Sequence, residues 1–139
     1  MKKALEIRRK TLGEGHPDTA ASYNNLAGLY KDMGRYGEAE PLYKKALEIR
    51  CKTLGEEHPD TATSYHNLAG LYEATGRYGE AEPLYKKALE IIRKALGEGH
   101  PHTAASYNNL AMLYEATGRY GEAEPLYKKA RRIKQVVID

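Results

Sequence analysis

Five histidines are the side chains here that most directly offer chemistry, because imidazole is the commonest metal ligand in proteins. His16, His58 and His100 recur at intervals of 42 residues, each directly before a proline. A zinc ion needs three or four ligands within about 2.0–2.3 Å, and side chains that recur once per 42 residues are too far apart to share it. His100 and His102 are neighbours without an evident third ligand. We therefore predict loop histidines and no metal site.

Cysteine and carboxylate chemistry is not indicated either. Cys51 is the only cysteine, which excludes an internal disulfide and suits a reducing, cytoplasmic compartment. Glu38 and Glu40 form a pair of carboxylates that recurs every 42 residues. Acidic residues are favoured at the start of a solvated helix, so this pair needs no catalytic role. The chain has no glycine-rich phosphate loop and no Ser-His-Asp order. We predict a protein that is not an enzyme, with no catalytic residues and no cofactor.

The elements that position these residues are three copies of one 42-residue unit, at 5–46, 47–88 and 89–130. Each copy begins with Leu-Glu-Ile, at Leu5, Leu47 and Leu89, and only eleven of the 42 columns vary. A repeat of this length is typical of a solenoid, in which each unit buries its apolar face against its neighbours. Such a chain offers a long surface rather than a closed pocket.

Composition and charge exclude two classes of partner. The chain has 139 residues, of which 29% are charged, and its net charge is only +3. Acidic and basic residues alternate, so the one-sided basic stripe that nucleic-acid binding requires is missing, and no nucleic acid is expected. No apolar run approaches the roughly 18 residues that span a bilayer, so no membrane partner is expected.

Within each unit the apolar spacing predicts two antiparallel helices. In the first unit they cover about 18–33, after His-Pro, and about 37–54, and each ends at a glycine. Three- and four-residue spacing predicts buried faces of Ala20, Tyr23, Leu26, Ala27 and Tyr30 in the first helix, and of Ala39, Leu42, Tyr43, Ala46, Leu47 and Leu54 in the second. All twelve tyrosines fall in four columns of the repeat, and we expect packing roles for them.

These residues resemble a tetratricopeptide repeat. Each copy has Tyr-x2-Leu-Ala-x2-Tyr followed by Gly, Tyr, Ala, Tyr and Ala, which in the first copy are Tyr23, Leu26, Ala27, Tyr30, Gly34, Tyr36, Ala39, Tyr43 and Ala46. The resemblance implies an all-α fold, a right-handed α-solenoid of antiparallel helix pairs with about seven helices. The expected domain is a single array over 1–139, with a lone second-type helix at 1–12 and repeats at 13–54, 55–96 and 97–138.

The length of the unit indicates a subtype. An ordinary unit of this family has about 34 residues and a proline that ends the second helix. Here that column holds Arg9, Cys51 or Arg93, and the helix continues for about two turns to Leu-Gly. The unit, with Leu-Gly-Glu-x-His-Pro and Tyr-Asn-Asn-Leu-Ala, is similar to the kinesin light chain type.

Five variable columns form one stripe along the first helix of each unit, on the side away from Tyr23, Leu26 and Tyr30. First helices line the concave surface of this family, so the resemblance implies that this first-helix stripe is a peptide groove. Free drift of an exposed stripe explains the variation equally well, because substitutions there cost little stability. With the neighbouring asparagines, the candidate groove residues are Ala21, Asn24, Asn25, Gly28, Lys31, Asp32, Thr63, His66, Asn67, Gly70, Glu73, Asn108, Asn109, Met112 and Glu115.

Three asparagines beside the stripe, Asn25, Asn67 and Asn109, do not vary. Asparagine is a poor helix former, and its amide both donates and accepts hydrogen bonds. The resemblance implies that these amides hold the backbone of an extended peptide. The alternative is a hydrogen bond between neighbouring helices.

The charge of the stripe indicates which ligands fit. Lys31 against Asp32, Glu73 and Glu115 gives a formal charge of −2. Kinesin light chain grooves are basic and take acidic peptides, and a carboxylate clamp for chaperone tails needs several basic residues, so neither ligand is expected. The predicted partner is a neutral or basic protein segment of about six to eight residues, at about 3.3 Å per residue.

We thus predict a non-catalytic scaffold module that presents a concave groove to a protein or peptide. The alternative is a structural or self-assembling array with no peptide ligand, either a natural fragment or a near-consensus engineered scaffold. Arg131 replaces the leucine of the Leu5 column, which predicts an exposed terminal cap. The helix at 1–12 lacks its own partner helix, which predicts uncovered apolar surface around Ala4 and Leu5. We expect this helix to fray or to dock onto another molecule, for example a second copy of the chain.

Overall fold

The computed structural model describes residues 2–12 and 16–138, and within these ranges it contains seven α-helices and no strand. After α1 come three antiparallel pairs, α2/α3, α4/α5 and α6/α7, and each second helix also packs on the next first helix. The all-α solenoid and the predicted helix bounds are confirmed to within two residues. The predicted boundary at residue 13 lies outside the described residues. The helices are α1 Lys2–Leu12, α2 Pro17–Asp32, α3 Tyr36–Thr53, α4 Pro59–Ala74, α5 Tyr78–Leu96, α6 Pro101–Ala116 and α7 Tyr120–Ile138.

Each first helix begins at a proline, and the histidine before it is the helix N-cap. The histidine backbone is extended, with φ near −80°, and its Nδ1 accepts a hydrogen bond of 3.0–3.1 Å from the N–H two residues later. This contact satisfies one of the N–H groups that a helix start leaves unpaired. The sequence predicted only loop positions for these histidines, so their capping role is a finding of the structure. The three caps are His16, His58 and His100.

A glycine with positive φ separates the two helices of each pair. Gly76 has φ +77°, a conformation that costs other residues a clash with the β-carbon. This turn lets the N–H of Arg77 donate to the carbonyl of Tyr72 at 2.7 Å, which satisfies a carbonyl at the end of α4. The chain can therefore reverse within three residues and lay α5 antiparallel to α4.

Alanines at the helix crossings allow close packing, and tyrosines fill the space around them. Ala27, Ala39 and Ala46 are fully buried. The predicted first-helix face is confirmed except for Tyr30, which is only partly buried. The second-helix prediction was partly wrong, because Ile49 is buried and was not included, whereas Leu42, Leu47 and Leu54 are only partly buried. Ile49 is buried because it packs with Ala20, Tyr23 and Leu26 of its own first helix.

One column of tyrosines does not pack as predicted. Tyr36, Tyr78 and Tyr120, which begin the second helices, are between 36% and 66% exposed. They follow the tight glycine turn, where the chain lies at the surface and no neighbouring helix covers the ring. The expectation that all twelve tyrosines fill the core was therefore wrong for this column.

Successive repeats are also joined by a polar contact that recurs along the array. Arg77 pairs with Glu40 of the preceding repeat at 2.7 Å, and its guanidinium lies 4.2 Å from the ring centre of Tyr72. Exposed pairs of this kind contribute little stability individually, but a repeated pair fixes the position of one repeat on the next. The same contacts recur in Arg119, Glu82 and Tyr114.

The predictions about the ends of the array had different outcomes. Leu5 is only 6% exposed and packs with Ala20, Tyr23 and Leu26, so the prediction that it lies uncovered was wrong. The short α1 supplies the same contact that a complete second helix supplies in the other repeats. Ala4 is exposed, as is Arg131 at the position where other copies have leucine. No helix in the described part of the chain is both long and apolar enough to cross a membrane.

Candidate functional site

The first-helix stripe is continuous from one repeat to the next, because stripe residues touch across neighbouring first helices. A β-carbon placed on Gly70 would lie 3.4 Å from Lys31 Nζ, so the Lys31 side chain reaches over α4. Between the same two helices, Asn24 Nδ2 donates to Ser64 Oγ at 3.4 Å. Lys31, Asn24 and Gly70 are half-buried, and Asp32 is exposed. The predicted residues of α2 and α4 therefore form one surface.

Tyrosines of the second helices lie beneath the stripe at its glycine column. The hydroxyl of Tyr85 is 3.7 Å from a β-carbon placed on Gly70, and it donates to Glu73 Oε1 at 2.7 Å. Burial, followed by the hydrogen bond to Glu73, raises the pKa of Tyr85, so the hydroxyl stays protonated and remains a donor. In the third repeat the same column holds Met112, which projects from the surface with 52% of its area exposed. At this column the surface of the stripe is therefore recessed in the first two repeats, which have glycine, and protrudes in the third, which has methionine.

The three invariant asparagines have different surroundings. Asn25 is exposed, whereas Asn67 and Asn109 are half-buried. Asn109 Nδ2 lies 2.8 Å from His66 Nε2 on the neighbouring first helix, which is the inter-helix hydrogen bond considered as the alternative. Asn67 makes no side-chain hydrogen bond within the described part of the chain. The α2 residue that corresponds to His66 is Asn24, and it donates to Ser64 instead. A hydrogen bond between neighbouring helices therefore accounts for Asn109 but not for Asn67.

His66 lies at the centre of the stripe, in the middle repeat. Burial, followed by the nearby charge of Lys31, lowers the pKa of His66 below its ordinary value. Its ring stands edge-on to Tyr85 with centroids 5.3 Å apart. The neutral ring can accept the Asn109 proton at Nε2, and its other nitrogen then carries the hydrogen.

The other two repeats have asparagine at the position of His66. Replacing His66 with asparagine is expected to make the free energy of unfolding less sensitive to acid. Because the folded-state pKa is lowered, the unfolded chain binds more protons below its own pKa of about 6.5. That contribution is complete above about pH 6.5 and is lost as the pH falls below it, by at most about 1.4 kcal/mol per pH unit. Urea unfolding between pH 8 and pH 5 (about three units) measures the difference. If the free energy of unfolding fell with pH by the same amount in H66N and in the wild type, the prediction would be wrong.

The thiol and the paired carboxylates that the sequence singled out have structural surroundings in the described ranges. Within the ranges that the structure describes, no three His, Cys, Asp or Glu side chains converge to hold a metal ion. Burial, followed by Glu56, raises the pKa of the Cys51 thiol, which keeps it protonated and a poor nucleophile. Glu40 is paired with Lys44 at 2.9 Å and with Arg77, so its carboxylate has a structural role.

Sequence reasoning missed residues beside the stripe on the second helices and at the start of α6. Arg50 of α3 extends between α2 and α4, and Ile92 occupies the same column in α5. On α6, His102 and Ser106 face the same region as Ile92. Two of these columns vary among the copies, so the signal was present in the sequence. It was not used because the prediction considered only five of the eleven variable columns, and the columns of Arg50 and His102 were not among them.

These features define a class of protein: an α-solenoid of helix pairs that presents a long polar surface, as protein-interaction scaffolds do. A tetratricopeptide repeat model matches residues 1–52, 25–92 and 60–135, and the chain therefore belongs to the tetratricopeptide repeat family. This family is generally non-catalytic. The predicted recognition, including the kinesin light chain-like type, is confirmed.

Solved structures and a curated sequence show the extent of the similarity. BtubC (BKLC) of P. vanneervenii superposes with a TM-score of 0.89 at 29% identity, over 98% of this chain and 54% of that chain. A kinesin light chain of Podosopora anserina with nearly identical TPR-like repeats gives a TM-score of 0.83 at 36% identity, over 96% of this chain and 64% of that one. Nephrocystin-3 of Mus musculus is 44% identical over 44 residues, which are 32% of this chain and 3% of that protein. The chain thus spans only part of each relative.

Proposed function

We propose that the first-helix stripe binds an extended segment of a partner protein, and that the chain acts as a scaffold module. The observation that carries this proposal is the continuity of the stripe, since Lys31 of α2 reaches Gly70 of α4 and Asn109 of α6 contacts His66 of α4. Three repeats thereby offer one surface, to which an extended segment of about six to eight residues can be matched. An affinity in the micromolar range is expected, because the segment loses conformational entropy when it binds.

The charges on the stripe support a neutral or basic segment. Asp32 and Glu115 are exposed, and Glu73 is half-buried, where its carboxylate accepts from Tyr85. Lys31 is the single cation among these stripe residues and is half-buried. An acidic segment would meet more repulsion than attraction, and salt should weaken whichever charged contribution remains.

Replacing Asn67 with alanine is expected to weaken peptide binding by roughly 0.5–1.5 kcal/mol, or about two- to twelvefold, because hydrogen bonds to the peptide backbone are lost. Octapeptides selected from a random library on the wild type provide the ligands, and isothermal titration gives the affinities. Thermal unfolding of N67A should stay close to that of the wild type, since the amide bonds to no described side chain.

The matched control is Glu90→Ala, a truncation on the exposed face of α5 away from the stripe. It should leave both affinity and stability unchanged. Predominantly acidic winners, or equal affinities for N67A and the wild type, would refute this account of the groove. If the library yields no binder and light scattering shows concentration-dependent association, the self-assembling array replaces the peptide scaffold as the function.

A further inference from the structure

A cleft of about 130 Å³ opens from the stripe between α4 and α6, with α5 beneath it. Its floor is apolar, because Ala62, Ala88 and Ile92 pack together in one buried cluster. Its rim is polar and includes His66 and Asn109, which belong to the candidate groove, and His102. The cleft is therefore a recess in the proposed groove rather than a separate site.

The cleft lies where one residue of the second helix differs from the preceding repeat. At the equivalent position between α2 and α4, the Arg50 guanidinium donates to Ser64 Oγ at 3.1 Å and to the Asp60 carbonyl at 3.2 Å. Asn24 of α2 donates to the same Ser64 hydroxyl, so the arginine lies where the two first helices meet. In the next repeat the same column holds Ile92, whose side chain is shorter, forms no hydrogen bonds and stays in the apolar floor.

The residues that distinguish one copy from the others converge here. Four of the side chains that line the cleft differ from the residues at the same column in both other copies, although they come from three different helices. Substitutions that merely drift would be expected to scatter over the exposed surface. Their meeting in one recess indicates a specialised position. The four are Thr63, His66, Ile92 and His102.

We infer that this cleft is a side-chain pocket that takes one uncharged apolar residue, of about leucine size, from the bound segment. The inference rests on the proposed function, because it assigns a specificity position to the same groove. The pocket lies between the second and third repeats, and it makes the array select a peptide side chain as well as bind the peptide backbone.

The volume of the cleft and the polarity of its lining indicate an uncharged apolar side chain. A dry protein cavity of about 150 Å³ accommodates a benzene-sized ligand, so a recess of 130 Å³ matches a branched aliphatic side chain. A charged side chain would lose its hydration over Ala62, Ala88 and Ile92 and would find no opposite formal charge, since no carboxylate, lysine or arginine lines the cleft. Burial, followed by the charge of Lys31, lowers the pKa of His66 and so disfavours its charged form.

Two exchanges between the repeats test the pocket. Ile92→Arg reproduces the second-helix residue of the preceding repeat and should close the cleft, with Ser106 in the place of Ser64. Arg50→Ile should open an equivalent cleft between α2 and α4. The probe is a random octapeptide library, selected in parallel on the wild type, I92R and R50I, with affinities measured for the winning wild-type peptide and its leucine-to-serine version.

The wild type should select one position occupied by Leu, Ile, Val or Met. Removal of that side chain, or the I92R exchange, should weaken binding about ten- to a hundredfold. R50I should select a second apolar position and should fold, since Ile92 is already accepted at this column. It therefore keeps the test valid if I92R is unstable. Winners without a preferred apolar position, an unchanged preference in I92R or no second position in R50I would overturn the pocket alone. Failure of the wild type to select any peptide would overturn the groove and the pocket with it.

Discussion

Replacing Tyr107 with alanine is expected to lower the free energy of unfolding by about 3–5 kcal/mol, the range for removal of a large aromatic side chain from a core. Tyr107 is 1% exposed and is the largest of the fully buried side chains. It belongs to the main buried cluster with Leu110 and Leu113, so truncation leaves a cavity that helices fixed on both sides cannot close. Its hydroxyl donates to Glu98, and burial together with this hydrogen bond raises the pKa of Tyr107 to about 12. Urea unfolding followed by circular dichroism measures the loss.

The chain has a matched control for this substitution. Tyr120 is the same residue type in the same repeat, but 66% of its area is exposed. Tyr120→Ala should change the unfolding free energy by less than about 0.5 kcal/mol. If Y120A were as destabilising as Y107A, burial could not be the cause of either effect.

Replacing Leu89 with arginine is expected to cost about 3–5 kcal/mol and to uncouple the last helix pair from the rest of the array. Leu89 is 8% exposed and lies in the buried cluster that contains Leu110 and Ala104 of α6. A guanidinium at this position is buried without a counter-ion, and the contact between repeats is the main source of stability in a solenoid. Hydrogen exchange should then show α6 and α7 opening before α4 and α5, and denaturant unfolding should lose its two-state form.

The reverse substitution at Arg131 is the control, because Arg131 occupies the Leu89 column one repeat later and is exposed. Arg131→Leu should leave the free energy of unfolding within about 0.5 kcal/mol of the wild type. L89R with unchanged stability, or with α6 and α7 as protected as α4 and α5, would show that the leucine column does not join the repeats.

The sequence by itself determined the helix pairs, their ends and most of the core. Pro59 at the first position of α4 and Gly76 after its end act through backbone constraints that need no neighbour, so their effect is local. The period of 42 residues then requires each unit to bury the same face, which makes columns such as Ala20 and Leu26 predictable from spacing alone. The family followed from the same columns, because its motif consists of residues needed for helix packing.

Only the tertiary structure decided which polar groups meet and where the surface is open. His66 and Asn109 are 43 residues apart and form a contact because two first helices lie side by side. Leu5 is buried because α1 is long enough to cover α2, which a pattern within one helix cannot reveal. The recess above Ile92 depends on the length of a second-helix side chain measured against the gap between two first helices. Distances between helices are set by packing, so a one-dimensional period identifies the stripe but not the recess within it.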